Sequence, residues 1–271
     1  MERIKRKCYR IAKAGNIRNL KQVTEDLDLP VGKEVIVNVK TIGLNFADIF
    51  ALLGLYSATP NGSFVPGLEY SGIIEYVGDQ ATQYAIGDQV MGVTRFGGYC
   101  SHIKISEDYL TKLPSEWSFE QGAGYLVQAL TAYYGLFKLG NLQKGNTVLI
   151  HSAAGGVGLL ANRMVKKVGG YTIGTIGSAH KVDTLKKEGY DDWIVRDRDF
   201  KKNLIKVLDQ RQLDIVMECI GGEVFKAGFE LLSPQGRLIN YGSARYGDNS
   251  NTHYWLKLCW KYITRQRIDP L

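Results

Sequence analysis

A chain of 271 residues with 45% hydrophobic side chains has room for two domains, each with its own buried core. The formal charge of +7 is spread along the sequence beside 27 acidic residues, which fits a solvated basic surface and at most a polyanionic cofactor, and concentrates nothing for nucleic acid. Cys8, Cys100, Cys219 and Cys259 lie far apart without a C-x-x-C pair, which excludes a disulfide framework or zinc knuckle; with no apolar run of ~18 residues and no signal-peptide stretch, a cytoplasmic protein is expected.

From Cys8 to about Ala123, short strands and turns follow one another: IAKAG, KEVIVNVKTIG, SGIIEYVG, GDQVMGVTR, YCSHIKI and LTKLP. Many short strands with glycine at the corners predict a compact antiparallel or barrel-like β domain. Gly43 to Gly72 interrupts them with a short helix and an irregular loop containing Pro60 and Pro66, and loops on a rigid β scaffold are where substrate sites sit. Read by residue type alone, Asn45 there is a turn-forming asparagine before a helix and Tyr56 a half-buried aromatic. Phe119 to Leu139 carries apolar residues at helical spacing and predicts a helix.

The stretch NTVLIHSAAGGVG, Asn146 to Gly158, is a short strand without polar alternation followed by a glycine-rich turn and an amphipathic helix. Its turn fits G-x-G-x-x-G with Ala153 in the first place, Gly155 in the second and Gly158 in the third. Gly155 would let backbone approach a pyrophosphate, Gly158 would let the helix pack on the strand, and the helix N-terminus would offer free N–H groups. Ala154, Gly155, Gly156, Val157 and Gly158 are therefore candidate cofactor contacts, although such turns are also ordinary structural punctuation. Four more strands follow, alternating with helices and ending in GRLINYG at Gly242, a further candidate contact. This pattern predicts a parallel sheet covered on both faces.

About 20 positions past Gly158, where an acid would bind a ribose 2′-hydroxyl, stands Ser178 in GSAHK. Ser178 and Lys181 can instead hold a 2′-phosphate by hydrogen bond and charge; a solvated surface cation is the alternative for Lys181. Beyond Gly242, YWLKLCWKYITRQRIDPL places Trp255, Leu258, Cys259, Tyr262 and Ile263 on one helical stripe and Lys257, Lys261 and Arg265 on the other. Such a helix can make a peripheral membrane contact, or simply pack on its own domain.

The motifs N-F-A-D and G-L-Y (Asn45, Asp48, Gly54, Tyr56), P-G-L-E (Pro66 to Glu69) and AAGGVG (Ala153 to Gly158) resemble the quinone oxidoreductase branch of the medium-chain dehydrogenase/reductase superfamily, and within it the vesicle amine transport protein group. The likeness runs from about residue 8 to the end. It implies an α/β protein with a GroES-like catalytic domain, assigned to residues 1–123, and a Rossmann NADP-binding domain of doubly wound parallel type, assigned to 124–271. It implies NADPH as hydride donor and a quinone or α,β-unsaturated carbonyl as acceptor. Asn45 and Tyr56 become the candidate catalytic donors to the substrate oxygen, and Thr131 is placed near the nicotinamide ring, against the alternative of packing inside its helix. Arg196 falls where relatives often carry a tyrosine that touches the 2′-phosphate, with a solvated surface cation as the alternative, as for Lys181.

In the zinc alcohol dehydrogenases of this fold, a cysteine stands at the position of Asn45 and a histidine at that of Leu68. An amide and a leucine cannot replace those zinc ligands, so no metal is expected. Glu69 matches an acidic position of those enzymes and reads as structural. The family pattern also places an arginine where Leu52 stands. A Rossmann sheet needs six strands and five precede the tail, and relatives run on by several dozen residues; the expectation is a chain truncated at its C-terminus, with an unpaired fifth strand that invites homodimer formation. The alternative to an enzyme is a non-catalytic NADPH-binding or membrane-associated protein of the same fold.

Overall fold

The structure is a computed structural model that describes residues 3–244; the aromatic and basic stripe of residues 255–265 lies outside the described residues. The chain forms two compact units, one running to Tyr134 with residues 159–161, the other made of residues 135–158 and those from 162 onward.

The first unit opens with β1 (Arg3–Arg10) and β2 (Lys21–Asp28), an antiparallel hairpin. The sequence reading misses both, because RIKRKCYR and KQVTEDLD are too charged to read as strands, and it places a strand at IAKAG, where only Ile11 makes a bridge, to Phe64. The pairing is written in charge rather than apolar alternation: Arg3 meets Asp28 at 2.7 Å, Lys5 meets Asp26 at 2.5 Å, and Glu25 receives both Arg6 and Arg10. The Arg3 and Lys5 pairs are solvent-exposed and add little, while the Arg6 and Arg10 pairs with Glu25 are partly buried. Cys8 is the buried anchor of β1 and faces Cys100 across an isolated bridge, both as free thiols.

The rest of the unit is β3 (Glu34–Ile42), α1 (Phe46–Leu52), β4 (Glu69–Val77), β5 (Gln89–Val93), β6 (His102–Ser106) and β7 (Leu110–Lys112). The strands form an antiparallel sheet of order β6-β3-β4-β5-β7. Its core holds Val35, Val37, Tyr70, Ile74, Val90 and Ile103. At Gly72 a Cβ would stand 2.2 Å from the Asn38 carbonyl oxygen, so β3 and β4 pair this closely only because that residue is glycine.

The predicted helix over 119–139 is three pieces: α2 (Phe119–Ala123), α3 (Leu126–Tyr133) and a π-helical turn over Tyr134–Leu139. Ser118 and Gln121 cap the first reciprocally, and Gly124 ends it by turning out of helical geometry.

The second unit alternates β8 (Thr147–Ile150), α4 (Gly156–Val168), β9 (Tyr171–Ile176), α5 (Val182–Lys187), β10 (Asp192–Val195), α6 (Phe200–Leu208), β11 (Leu213–Glu218), α7 (Gly222–Glu230) and β12 (Leu232–Asn240). The five strands are parallel, in the order β10-β9-β8-β11-β12. β8 is buried along its whole length, as its unbroken apolar run requires. The order reverses between β8 and β11, and at such a switch point the carboxyl ends of the strands leave room for a ligand. Leu149, Ile173, Leu204, Leu213 and Val216 form the core between sheet and helices. No described helix is long and apolar enough to cross a membrane.

Candidate cofactor and substrate site

In the second unit, β8 ends at Ile150 and the chain turns through Ser152, which adopts a positive φ of 51°, a strained conformation for a residue with a Cβ. Gly155 is the N-cap of α4, and its N–H bonds back to the Ser152 carbonyl at 2.8 Å. A Cβ on Gly158 would stand 2.7 Å from the carbonyl oxygens of Ser152 and Ala153, both backbone and neither able to yield. This glycine lets the helix start directly on the turn. Tyr190, buried beneath it, donates its hydroxyl to the Gly158 carbonyl at 2.8 Å and lies 3.2 Å from that of Ala153. Ala154, Gly155, Gly156 and Val157 remain at least partly accessible at the helix N-terminus, where the first N–H groups have no carbonyl within the helix to bond.

β9 ends at Ile176, followed by Gly177 and Ser178. The Arg196 guanidinium, from the residue after β10, lies on Gly177, where an added Cβ would stand 3.0 Å from Nη2. Nη1 donates to Thr175 Oγ1 at 3.2 Å, while Nε and Nη2 carry no hydrogen bond to the described residues. Ser178 Oγ is 2.8 Å from His180 Nδ1, and the Lys181 side chain is exposed without an ion pair among the described residues. Guanidinium nitrogens left without a hydrogen bond among the described residues, on the glycine that precedes Ser178, fit an anionic phosphate; the charge that reaches Arg196 from the protein is that of the buried Glu218. The glycine-rich turn and the free helix N-terminus fit a pyrophosphate. Gly242 lies after β12 against Cys219, its N–H 3.3 Å from Asn240 Oδ1.

Sequence reasoning misses a buried polar group at the carboxyl ends of these strands. His151 and Glu218 are inaccessible to solvent, with Nε2 3.2 Å from Oε2. His151 Nδ1 is 2.8 Å from Thr175 Oγ1, and Glu218 Oε1 accepts from the N–H groups of Ile220 and Gly221. Burial, then the Arg196 charge, push the imidazole down to about 3; burial raises the Glu218 carboxyl against the pull of those N–H groups. The available signal was a polar residue ending each of two short apolar runs, VLIH and IVME.

In the first unit, Asn45 is the N-cap of α1. Its backbone N–H donates to Asp48 at 2.8 Å, and its side-chain amide donates to Glu69 Oε1 at 2.9 Å. The other oxygen of Glu69 accepts from the Val127 N–H, so this buried carboxylate ties the start of α1 to α3. Burial raises the Glu69 carboxyl, partly offset by those two donors. Burial likewise raises Asp48, which also receives the Tyr99 hydroxyl at 3.0 Å. Tyr56 is 38% exposed, its ring edge-on to Phe96, and its hydroxyl bonds to none of the described residues. The Thr131 hydroxyl donates to the Val127 carbonyl one turn earlier at 2.7 Å. Leu52 is buried with Ile11, Ala51 and Phe64, so the position that carries an arginine in the family pattern is core here. Among the described residues, no group of three or more His, Cys, Asp or Glu side chains could hold a metal ion.

Together, an antiparallel β unit and a parallel sheet with a glycine-turn helix define a two-domain dehydrogenase or reductase architecture. Residues 32–178 match the Alcohol dehydrogenase GroES-like domain, and residues 156–267 match the Zinc-binding dehydrogenase family. The synaptic vesicle membrane protein VAT-1 homolog of Danio rerio is 39% identical over 212 residues, 78% of this chain and 44% of that protein. Among solved structures, quinone oxidoreductase of Escherichia coli complexed with NADPH aligns with a TM-score of 0.81 at 29% identity, covering 94% of this chain and 78% of that one. CurK enoyl reductase aligns at 0.80 and 30%, covering 88% and 74%. The chain belongs to the medium-chain dehydrogenase/reductase superfamily, with a GroES-like domain and a Rossmann domain. It spans roughly half the length of the curated relatives it matches, from 44% to 62% of the first four.

Proposed function

We propose that this chain is a zinc-independent, NADPH-dependent oxidoreductase that reduces a quinone or an α,β-unsaturated carbonyl. The observation that carries the reading is Arg196, laid on Gly177, the residue before Ser178, with Nε and Nη2 unbonded among the described residues, at the strand end where a carboxylate would select a 2′-hydroxyl. Bound NADPH supplies the hydride; the chain's residues bind and orient it. The turn from Ala154 to Gly158 would receive the pyrophosphate and Ser178, Lys181 and Arg196 the 2′-phosphate, with Gly242 after β12 as a further contact in the same unit; in the first unit, Thr131 on α3 is assigned to the nicotinamide. Asn45 and Tyr56 act on the acceptor side. The second N–H of the Asn45 amide and the Tyr56 hydroxyl would be donors for the acceptor's carbonyl oxygen, which gains negative charge as hydride adds to the conjugated system. Zinc independence rests on Asn45, whose amide holds Glu69 instead of presenting a thiolate, and on Leu68.

A second reading, a non-catalytic NADPH-binding protein of the same fold, is favoured by Leu52, an apolar core residue where the family pattern has a guanidinium. Mixing the protein with NADPH and a panel of quinones and enones, and following the reduced-nicotinamide absorbance, separates the two. Oxidation of NADPH that depends on an acceptor supports the enzyme. Cofactor binding without turnover on any acceptor assigns the second reading.

A further inference from the structure

The polar side chains at the carboxyl ends of β8, β9 and β11 join Arg196 in one directed chain. Arg196 can only donate, so Thr175 Oγ1 accepts from Nη1 at 3.2 Å. Among the described residues the other partner of that oxygen is His151 Nδ1 at 2.8 Å, and the Thr175 hydroxyl proton can be donated to it. In that arrangement the proton of the neutral imidazole sits on Nε2, which faces Glu218 Oε2 at 3.2 Å. The two atoms are in contact but off the hydrogen-bond line, and neither has a hydrogen-bond partner among the described residues. Glu218 Oε1 accepts from the N–H groups of Ile220 and Gly221 that precede α7. The links from Arg196 to His151 are hydrogen bonds, and a close contact carries them on to Glu218.

A buried carboxylate and imidazole are a poor way to gain stability, since their desolvation offsets most of their attraction. Capping Ile220 and Gly221 accounts for Glu218 alone. It does not account for a histidine and a threonine that lead from that carboxylate to a guanidinium whose remaining nitrogens are unbonded. We propose that Thr175, His151 and Glu218 are positioning residues that fix the Arg196 guanidinium over Gly177 for the cofactor 2′-phosphate, and so help determine selectivity for NADPH over NADH. This rests on the reading of Arg196 given under Proposed function.

The test is a double-mutant cycle on the full chain, with dissociation constants for NADPH and NADH measured by fluorescence titration for T175V, T175S, R196A and T175V/R196A. Valine keeps the volume and β-branch of Thr175 and removes both hydroxyl links, leaving the longer contact of Nη1 with the Thr175 carbonyl at 3.4 Å. T175V should weaken NADPH roughly tenfold, the scale of one hydrogen bond to a charged group, and leave NADH within about twofold. T175S should bind both cofactors as the parent does, and T175V should have no further effect once Arg196 is alanine. Without any cofactor, the His151 nitrogen shifts should show Nδ1 unprotonated in the parent; a protonated Nδ1 would overturn the relay. Equal loss of both cofactors in T175V, or losses that add in the double variant, would make Thr175 a structural residue and overturn the relay. If R196A leaves NADPH affinity unchanged, the 2′-phosphate reading falls and the relay with it; if R196A weakens NADPH and T175V does not, the relay alone is wrong.

Discussion

The Tyr190 hydroxyl donates to the carbonyl of Gly158, joining the turn that leads into β10 to the start of α4. Tyr190 is buried, and the Ala153 carbonyl is also within reach of its oxygen. Tyr190→Phe keeps the ring and strips the hydroxyl from backbone carbonyls that water cannot easily reach. The expected loss is about 1–3 kcal/mol in urea denaturation, with a weakening of both NADPH and NADH because the turn serves their common pyrophosphate. A variant with parental stability and affinity would show that the hydroxyl holds nothing.

Leu52 gives the first unit a comparable test. It is 5% exposed, in a cluster with Ile11, Ala51 and Phe64. Leu52→Ala should cost about 2–5 kcal/mol, the range for emptying a buried leucine site. Leu52→Arg, which restores the residue type of the family pattern, should destabilise as well, because a guanidinium in this cluster meets aliphatic and aromatic carbon. A stable, more active L52R would show that the site accepts the charge.

His151 predicts a pH dependence whose sign can be worked out. Burial holds its folded value at about 3, below the ordinary 6.5 of an unfolded histidine. Between these values the unfolded chain takes up a proton that the folded chain refuses. The contribution is therefore full above about pH 6.5 and is lost as pH falls toward 3, by up to about 1.4 kcal/mol per pH unit. Glu218, raised by burial, works in the opposite direction. The comparison is accordingly with His151→Asn, which keeps the carboxylate. The parent should lose more stability than H151N between about pH 7 and about pH 5 in urea titrations. Parallel curves would mean that His151 is protonated in the folded protein.

The Rossmann half was legible because its signals are local. An apolar run such as Thr147–Ile150 can only be a doubly buried strand, and Gly155 and Gly158 sit where backbone contacts forbid a Cβ or nearly so. Ser178 and Lys181 stand out in the sequence because no acid occupies that strand end, whereas Arg196 enters only through the resemblance. The β1–β2 hairpin was not, since its stability comes from charges paired across 15 to 25 residues of sequence, as Arg10 with Glu25 and Arg3 with Asp28. The break at Gly124 was hidden by apolar residues that keep helical spacing on both sides. The links of Asn45 to Glu69 and of His151 to Glu218 join residues 24 and 67 positions apart, and only the sheet topology brings them together.

The most direct measurement of the central claim is the pair of dissociation constants for NADPH and NADH in the parent, Arg196→Ala and Lys181→Ala. Charge-assisted hydrogen bonds to the 2′-phosphate are each worth about 1.5–3 kcal/mol. The parent should bind NADPH more tightly than NADH, and each variant should lose roughly 10- to 150-fold of NADPH affinity, with NADH nearly unchanged. Equal affinity of the parent for both cofactors, or equal loss of both in R196A and K181A, would contradict the account.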